Sequence, residues 1–432
     1  MNDPNDPNAL DTLDTLLAGP PFLGYAYSYP HKSAYRPLSP PVALETLWRD
    51  TPEATETALY FHIPFCEMRC GFCNLFTTPN PPEETEPRYL DALERQARVV
   101  PQRPISRVAF GGGTPTFLSL AGLERVLSLA ASFAPLAELP FSVETSPRTA
   151  TPEKLALLRD FGVDRVSIGI QSFVEAEVQA SGRAQRPEWV AAALGNIRKI
   201  GFPTLNIDLI YGLPGQTEAS WQRSLTEALL WQPEELYLYP LYVRPLTGLA
   251  GKAKTPVEAL TLYRQARERL LHAGYEQVSL RFFRRMGAAS HPSSDAVGGN
   301  LIGLGCGARS YTQSLHYSSE FAVGRAGVRN ILAGYLGRTE ADFALADYGV
   351  WLSDEEQVRR RVVYGLLQQT EGVNASVLEK LPQLTELIER NLAVCENGTL
   401  RLTPSGWERA DVLGPWLTSA AMRAQMETFS LR

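Results

Sequence analysis

The sequence predicts an α/β fold built on parallel strands, and three observations carry that reading. From about residue 58, six short apolar runs rich in Val, Ile and Tyr alternate with longer amphipathic stretches, the pattern of a parallel sheet with right-handed crossovers. The repeat, about 25 to 45 residues, suits an open doubly wound sheet or a partial barrel. Composition is that of an ordinary globular protein, 44% hydrophobic and 20% charged over 432 residues, which excludes a disordered, coiled-coil or fibrous chain and allows two or three domains.

Residues 1–57 are Pro- and Tyr-rich, with Pro20-Pro21 and Gly24-Tyr25-Ala26-Tyr27-Ser28-Tyr29-Pro30, and read as an extended lead-in rather than a domain. The predicted strands are Ala58–Ile63, Ser106–Phe110, Phe141–Glu144, Arg165–Gly169, Thr204–Ile210 and Glu235–Pro240, with helices near 86–99, 119–132, 152–160, 187–199 and 217–230 between them. A helix is expected over 255–272, and short strands with glycine-rich turns over 275–330. Residues 352–425 read as a small, mostly helical unit with a winged-helix flavour around Leu402-Thr403-Pro404-Ser405-Gly406-Trp407.

Lys plus Arg total 41 against 47 Asp plus Glu, a net charge of −6, so no basic surplus exists to neutralise a nucleic-acid backbone or an anionic membrane. The winged-helix-like unit is therefore read as a lid or scaffold rather than a nucleic-acid binder. Residues 1–15 lack the basic start and apolar run of a secretory signal, and no stretch approaches the ~20 apolar residues of a membrane span. A soluble, cytoplasmic protein is expected.

Of five cysteines, three stand within eight residues, as Cys66-Glu-Met-Arg-Cys70-Gly-Phe-Cys73, directly after the first strand. That is no disulfide framework. Three thiolates on one short loop suit a soft metal or an iron-sulfur cluster with one iron left open. A zinc site completed by His62 is the alternative, although structural zinc sites usually pair two short ligand elements. Cys306, in a glycine turn, and Cys395 read as packing residues, the latter in the core of the C-terminal unit. His62 reads as a support for the cysteine loop.

Ligands bind at the carboxyl ends of strands in parallel α/β folds. Gly111-Gly112-Gly113-Thr114-Pro115 follows the second strand, where glycines admit a polar ligand to backbone N–H groups. Glu144 ends the third strand, Gln171 the fourth and Asp208 the fifth, with Arg183 twelve residues beyond Gln171. Together these polar groups would encircle one pocket beside the cysteines.

Cys66, Cys70 and Cys73 resemble the signature of radical S-adenosylmethionine enzymes. Leu59-Tyr60-Phe61-His62-Ile63-Pro64-Phe65-Cys66 is similar to the subgroup of oxygen-independent coproporphyrinogen III oxidase and its haem-chaperone relatives. The runs Gly111–Thr116, Ser167–Phe173, Asn206–Thr217 and Gly303–Ala308 resemble the same subgroup, so the likeness covers roughly residues 55–312. The resemblance implies a partial (β/α)6 barrel over 58–245, an α+β extension over 246–345 that completes the active site, and a smaller, mainly helical domain over 346–432. It implies a 4Fe-4S cluster on the three cysteines and S-adenosylmethionine on the open iron. Tyr60, Phe72, Gly112, Gly113, Thr114, Glu144, Gln171, Arg183 and Asp208 match its cofactor-contact positions: Arg183 suits a carboxylate, Gln171 and Asp208 ribose hydroxyls. Tyr242 and Arg309 fall at further contact positions with residue types that differ from the family's.

The implied activity is hydrogen abstraction by a 5′-deoxyadenosyl radical from an anionic small molecule, with oxidative decarboxylation of a tetrapyrrole as the family default. Radical methylation, or binding and delivery of haem, are the alternatives. A one-electron donor such as flavodoxin or ferredoxin and a monomeric protein are implied too. The chain departs from the oxidase in carrying Asn74-Leu75-Phe76 where that enzyme has an extra cysteine. It departs from the chaperones in reading Ser290–Asn300 where they carry a His-Asn and Tyr-Trp motif. Substrate choice is expected from Gly24–Leu38, with Tyr25, Tyr27, Tyr29, His31, Lys32, Tyr35 and Arg36, and from Leu280-Arg281-Phe282-Phe283-Arg284-Arg285, whose arginines read first as a solvated basic run and second as anion contacts. Arg244 is a further candidate for an anion.

Overall fold

The structure is a computed structural model that describes residues 12–25, 28–52, 56–250, 259–289 and 299–429. Its centre is six parallel strands side by side in chain order: β2 (Thr57–Ile63), β3 (Ile105–Gly112), β4 (Phe141–Thr145), β5 (Arg165–Gln171), β6 (Thr204–Tyr211) and β7 (Glu235–Pro240). Alternation along a strand divides their side chains between two faces. In β6, Leu205, Ile207 and Leu209 pack into the main core, whereas Asn206 and Asp208 take the other face.

The covering helices are α3 (Thr85–Val99), α4 (Leu120–Ala131), α5 (Pro152–Asp160), α7 (Pro187–Ile200) and α8 (Glu218–Leu230). Local chemistry sets their ends. Thr151 accepts the Lys154 N–H ahead of Pro152 in α5, Thr217 and Ser220 form a reciprocal capping box on α8, and Gly201 closes α7 in the left-handed region at φ 81°. A short helix, α6 (Glu175–Ala180), was not expected from the sequence; it sits between Gln171 and Arg183 and turns the chain back toward the cysteine loop.

Among the described residues the sheet reaches thirteen strands. Beyond β7 lie β9 (Phe282–Arg285) and β8 (Tyr275–Gln277), antiparallel. Beyond β2 lie β10 (Asn300–Leu304), parallel to it, then β11 (Arg309–Tyr311), β12 (Leu315–Ser318), β13 (Leu345–Trp351) and β1 (Arg36–Ala43). Leu301 on β10 and Phe282 on β9, from opposite flanks of the six strands, line one cleft of about 730 Å³ together with residues of β2, β3, β4, β5 and β7. The sheet is therefore curled into the expected partial barrel.

The segment before the barrel differs from a bare extended lead-in. Besides α1 (Leu13–Ala18) it contributes β1 and α2 (Leu44–Arg49), whose Trp48 is fully buried in the main core. The apolar residues Leu44, Leu47 and Trp48 share one helix face, a signal hidden by the short length of α2. β13 starts at Leu345, so the last strands of the sheet run across the expected 345/346 boundary. The C-terminal region combines helices Asp354–Leu367 and Ala410–Leu417 with a small antiparallel sheet of Val373–Asn374, Thr399–Leu402 and Ala393–Glu396. Cys395 is exposed on the last of these strands and is not a core residue, while Cys306 is buried as expected. Tyr27 and residues 290–298, which carry most of the chaperone comparison, lie outside the described residues.

Candidate active site

The three cysteines lie on the loop that leaves β2 at the carboxyl rim of the barrel. A short bridge pairs Phe65–Cys66 with Thr78–Pro79 and closes the loop at its base. Its other side is tied to the segment after α6: the Gly71 N–H donates to Ser181 O at 2.8 Å, and the Ala184 N–H to the Met68 sulfur at 3.2 Å. Cys66 and Cys73 are half-buried and Cys70 is buried. Burial pushes the Cys66 thiol up to about 12, and the neighbouring thiols add to the shift. Such thiols surrender their protons to a soft cation rather than to water.

His62 buttresses this loop. Its Nε2 lies 3.1 Å from the Phe76 carbonyl, which only accepts, so that nitrogen carries the proton and Nδ1 accepts from the Tyr60 hydroxyl at 3.1 Å. Burial lowers its pKa to about 4 and keeps the ring neutral. Both nitrogens are thus engaged, which leaves none for zinc. Among the described residues, no three His, Cys, Asp or Glu side chains converge tightly enough for a single ion. Ligands to separate irons of a cluster need no such convergence, and the donor set fits a cluster with three thiolates better than tetrahedral zinc.

The glycines after β3 have a packing reason. A Cβ on Gly112, at φ 109°, would meet the His62 ring at 2.6 Å, and one on Gly113 would meet the Phe65 carbonyl at 2.6 Å and the Cys66 sulfur at 2.9 Å. The Gly113 and Thr114 N–H groups donate to Ile63 O and Phe65 O, both at 2.8 Å, and the Thr114 hydroxyl is 3.6 Å from the Cys66 sulfur. The Gly-Gly-Gly-Thr run therefore seats the cysteine loop on β3. Phe72 lies half-buried in the turn between Cys70 and Cys73.

Glu144, Gln171, Arg183 and Asp208 gather on neighbouring strand ends. Glu144 opens to the lumen and accepts the Gly112 N–H at 3.2 Å. Asp208 accepts from Asn206 Nδ2 at 2.7 Å and from the Ser167 hydroxyl at 3.4 Å. The surrounding protein raises the pKa of Glu144 to about 7, assisted by repulsion from Asp208, and that of Asp208 to about 6. Gln171 has φ 69° at a register shift between β5 and β6, and its amide folds back over Gly169, 2.7 Å from where a Cβ there would stand. Arg183 reaches Cys70: Nη1 donates to the sulfur at 3.3 Å, Nη2 to Gly169 O at 2.6 Å and Nε to Gln185 Oε1 at 2.9 Å. Two of its five N–H groups remain for a further acceptor.

The other two expected contacts point elsewhere. The Tyr242 hydroxyl donates to Asp411 and accepts from Arg281, whereas Arg309 Nη1 donates to the Ser28 hydroxyl at 2.7 Å. Arg281 is 3% exposed and ion-paired with Asp411, itself 1% exposed, so it is not part of a solvated basic run. Arg284 and Arg285 are paired with Glu276 and Glu234. Sequence reasoning missed the partner of Arg281, because Asp411 lies 130 residues away with no motif around it.

This combination of a curled parallel sheet and three thiols on its first carboxyl-end loop defines a class. The Radical SAM superfamily model matches residues 60–228. The chain is 33% identical over 240 residues to oxygen-independent coproporphyrinogen III oxidase of Escherichia coli, covering 53% of this chain and 52% of that protein, and so spans about half the relative's length. It is 30% identical over 269 residues to the haem chaperone HemW of Bacillus subtilis, covering 58% of this chain and 70% of the chaperone. The solved structure of E. coli coproporphyrinogen III oxidase (HemN), a radical SAM enzyme, superposes with a TM-score of 0.76 at 25% identity, covering 90% of this chain and 96% of that one. The chain belongs to the radical S-adenosylmethionine superfamily, in the group that contains the oxygen-independent coproporphyrinogen III oxidases and HemW. The superfamily's cofactors are a 4Fe-4S cluster and S-adenosylmethionine.

Proposed function

We propose that the protein is a radical S-adenosylmethionine enzyme acting on an anionic small molecule, with oxidative decarboxylation of a tetrapyrrole as the first reaction to test. The observation that carries this reading is the contact of Arg183 with Cys70 beside a rim of hydrogen-bonding groups on four successive strands. Cys66, Cys70 and Cys73 would hold the cluster. When bound, cluster and cofactor supply one electron and a carbon-centred radical that abstracts hydrogen from substrate. The chain's own part is placement. Glu144 suits the cofactor's ammonium, Arg183 its carboxylate, and Asp208 and Gln171 its ribose hydroxyls, while Tyr60, Phe72, Gly112, Gly113 and Thr114 shape the wall. Tyr242 and Arg309 would act on substrate or strap rather than on this cofactor. A one-electron donor such as flavodoxin or ferredoxin would serve the cluster.

Haem delivery is a second reading, favoured by the similarity to HemW across most of that protein. Anaerobic reconstitution separates the two. Iron and sulfide in cluster ratio, 5′-deoxyadenosine formed under dithionite, and mass loss from coproporphyrinogen III support the enzyme; stoichiometric haem binding without cofactor cleavage sinks it. Cofactor cleavage with a methylated product redirects the reading to radical methylation.

A further inference from the structure

We propose that Lys32 and Arg244, grouped around His31, form a carboxylate subsite that holds an acidic side chain of the substrate beside the cofactor pocket. This rests on the enzyme reading above and assigns residues that it leaves unused. Lys32 begins the short 3-10 turn Lys32–Ala34 on the segment that crosses the rim, and its ammonium sits 3.2 Å over the Phe321 ring. The charged groups in its reach are Arg309, which repels it, and Cys73 of the cysteine loop. Among the described residues no carboxylate lies within ion-pair distance of Lys32. His31, bonded through Nδ1 to the Ser33 hydroxyl at 2.8 Å, faces Lys32, Arg309 and Arg244 together, and burial among these cations keeps it neutral.

Arg244 arrives from the loop after β7 and lies so close to Gly24 that a Cβ there would collide with its guanidinium. It stands 5.5 Å over the Tyr242 ring. The acid nearest to it, Asp411, is already held by Arg281 and Tyr242. Two chain segments far apart in sequence thus bring cations to one partly covered space with no anion of their own. An ammonium removed from water without a counter-charge is costly, and an incoming carboxylate offsets that cost. Lysine supplies a point charge with three rotatable donors and arginine a planar fork, a pairing that suits carboxylate oxygens approached from two sides.

A carboxylate could come from substrate or from the methionyl end of the cofactor, and the experiment has an arm for each. Anaerobically reconstituted holoprotein is titrated by fluorescence with coproporphyrin III, a stable tetracarboxylate, and with its tetramethyl ester; S-adenosylmethionine affinity is measured separately. The acid is expected to bind at least about tenfold tighter than the ester, as loss of charge-assisted hydrogen bonds implies. Lys32→Met and Arg244→Gln should each weaken the acid about tenfold, leaving ester and cofactor binding within about twofold. Gly24→Val, which displaces Arg244 without removing it, should weaken the acid in the same direction at unchanged iron content. Equal binding of acid and ester, or variants that bind the acid as the parent does, overturn the subsite. Variants that lose cofactor affinity instead assign the cations to the cofactor and overturn it as well. 5′-Deoxyadenosine formation under dithionite judges the enzyme reading independently: a parent protein that cleaves cofactor but binds neither porphyrin loses the subsite and keeps the radical chemistry.

Discussion

The two ends of the barrel lumen handle charge in opposite ways. At the amino-end floor, Arg165 Nε donates to Glu235 Oε2 at 2.6 Å, with side chains 15% and 1% exposed. At the carboxyl rim, Glu144 and Asp208 accept only neutral donors, Gly112, Asn206 and Ser167, and their proton affinities rise. The floor neutralises itself and so holds shape. The rim carries acids whose counter-charge is missing, and that is the condition of a surface meant for a cationic or hydroxyl-rich ligand.

The contrast is breakable at several points. The largest effect is expected from Cys70→Ala, which leaves two thiolates and should abolish bound iron and sulfide after reconstitution; full retention would contradict the ligand set. Next, Glu235→Gln strands the Arg165 charge in the floor and should cost about 3–5 kcal/mol of stability, read as a lower denaturation midpoint, with cofactor affinity preserved in the folded fraction. A loss of cofactor binding larger than the loss of stability would blur the division between floor and rim. Arg183→Ala should keep the cluster and weaken S-adenosylmethionine about tenfold, the scale of one charge-assisted contact; unchanged affinity means the strand-end contacts are misplaced.

The smallest effect is in pH. The Glu144 and Asp208 carboxyls hold protons more tightly in the folded state, at about 7 and about 6, than the usual 4.5 and 3.8. Their contribution to stability is full below about pH 4 and is lost as pH rises through 6 to 7. The Tm of the cofactor-free protein should therefore decline across that window, and Glu144→Gln should flatten the decline. The lumen admits water to Glu144, which keeps the effect modest. A parent curve with no slope there removes the rim's charge imbalance.

Much of the barrel was legible, because period-2 apolar runs and amphipathic helices are local signals. All six predicted strands fall on β2–β7, and the five predicted helices between them are present to within a residue or two. The cysteine loop was legible for the same reason, as its ligand spacing is local. What escaped depends on distant pairing. β1 is an edge strand whose partner β13 lies some 300 residues on, and Pro37, Pro40 and Pro41 disguise it. Arg281 looked solvated because alternation places it on a face but cannot supply Asp411. Cys395 looked buried because its strand is apolar, although the strand is an edge. The Gly-Gly-Gly-Thr run was read for its N–H groups, whereas its closest constraint is the cysteine loop pressing against it.

That distant pairing of β1 with β13 bears on the order of synthesis. The cysteine loop and all six barrel strands are made by Pro240, but β1 gains its partner only when Trp351 has emerged, 351 − 240 = 111 residues later. At ~5–20 residues per second that interval is about 6–22 s. During it the segment carrying Ser28 and Lys32 has no sheet edge to anchor it across the rim, so the three thiols face the cell uncovered. A nascent chain arrested in this interval should accept iron and sulfide faster than the finished protein, and equal rates would show that the strap is no barrier to loading.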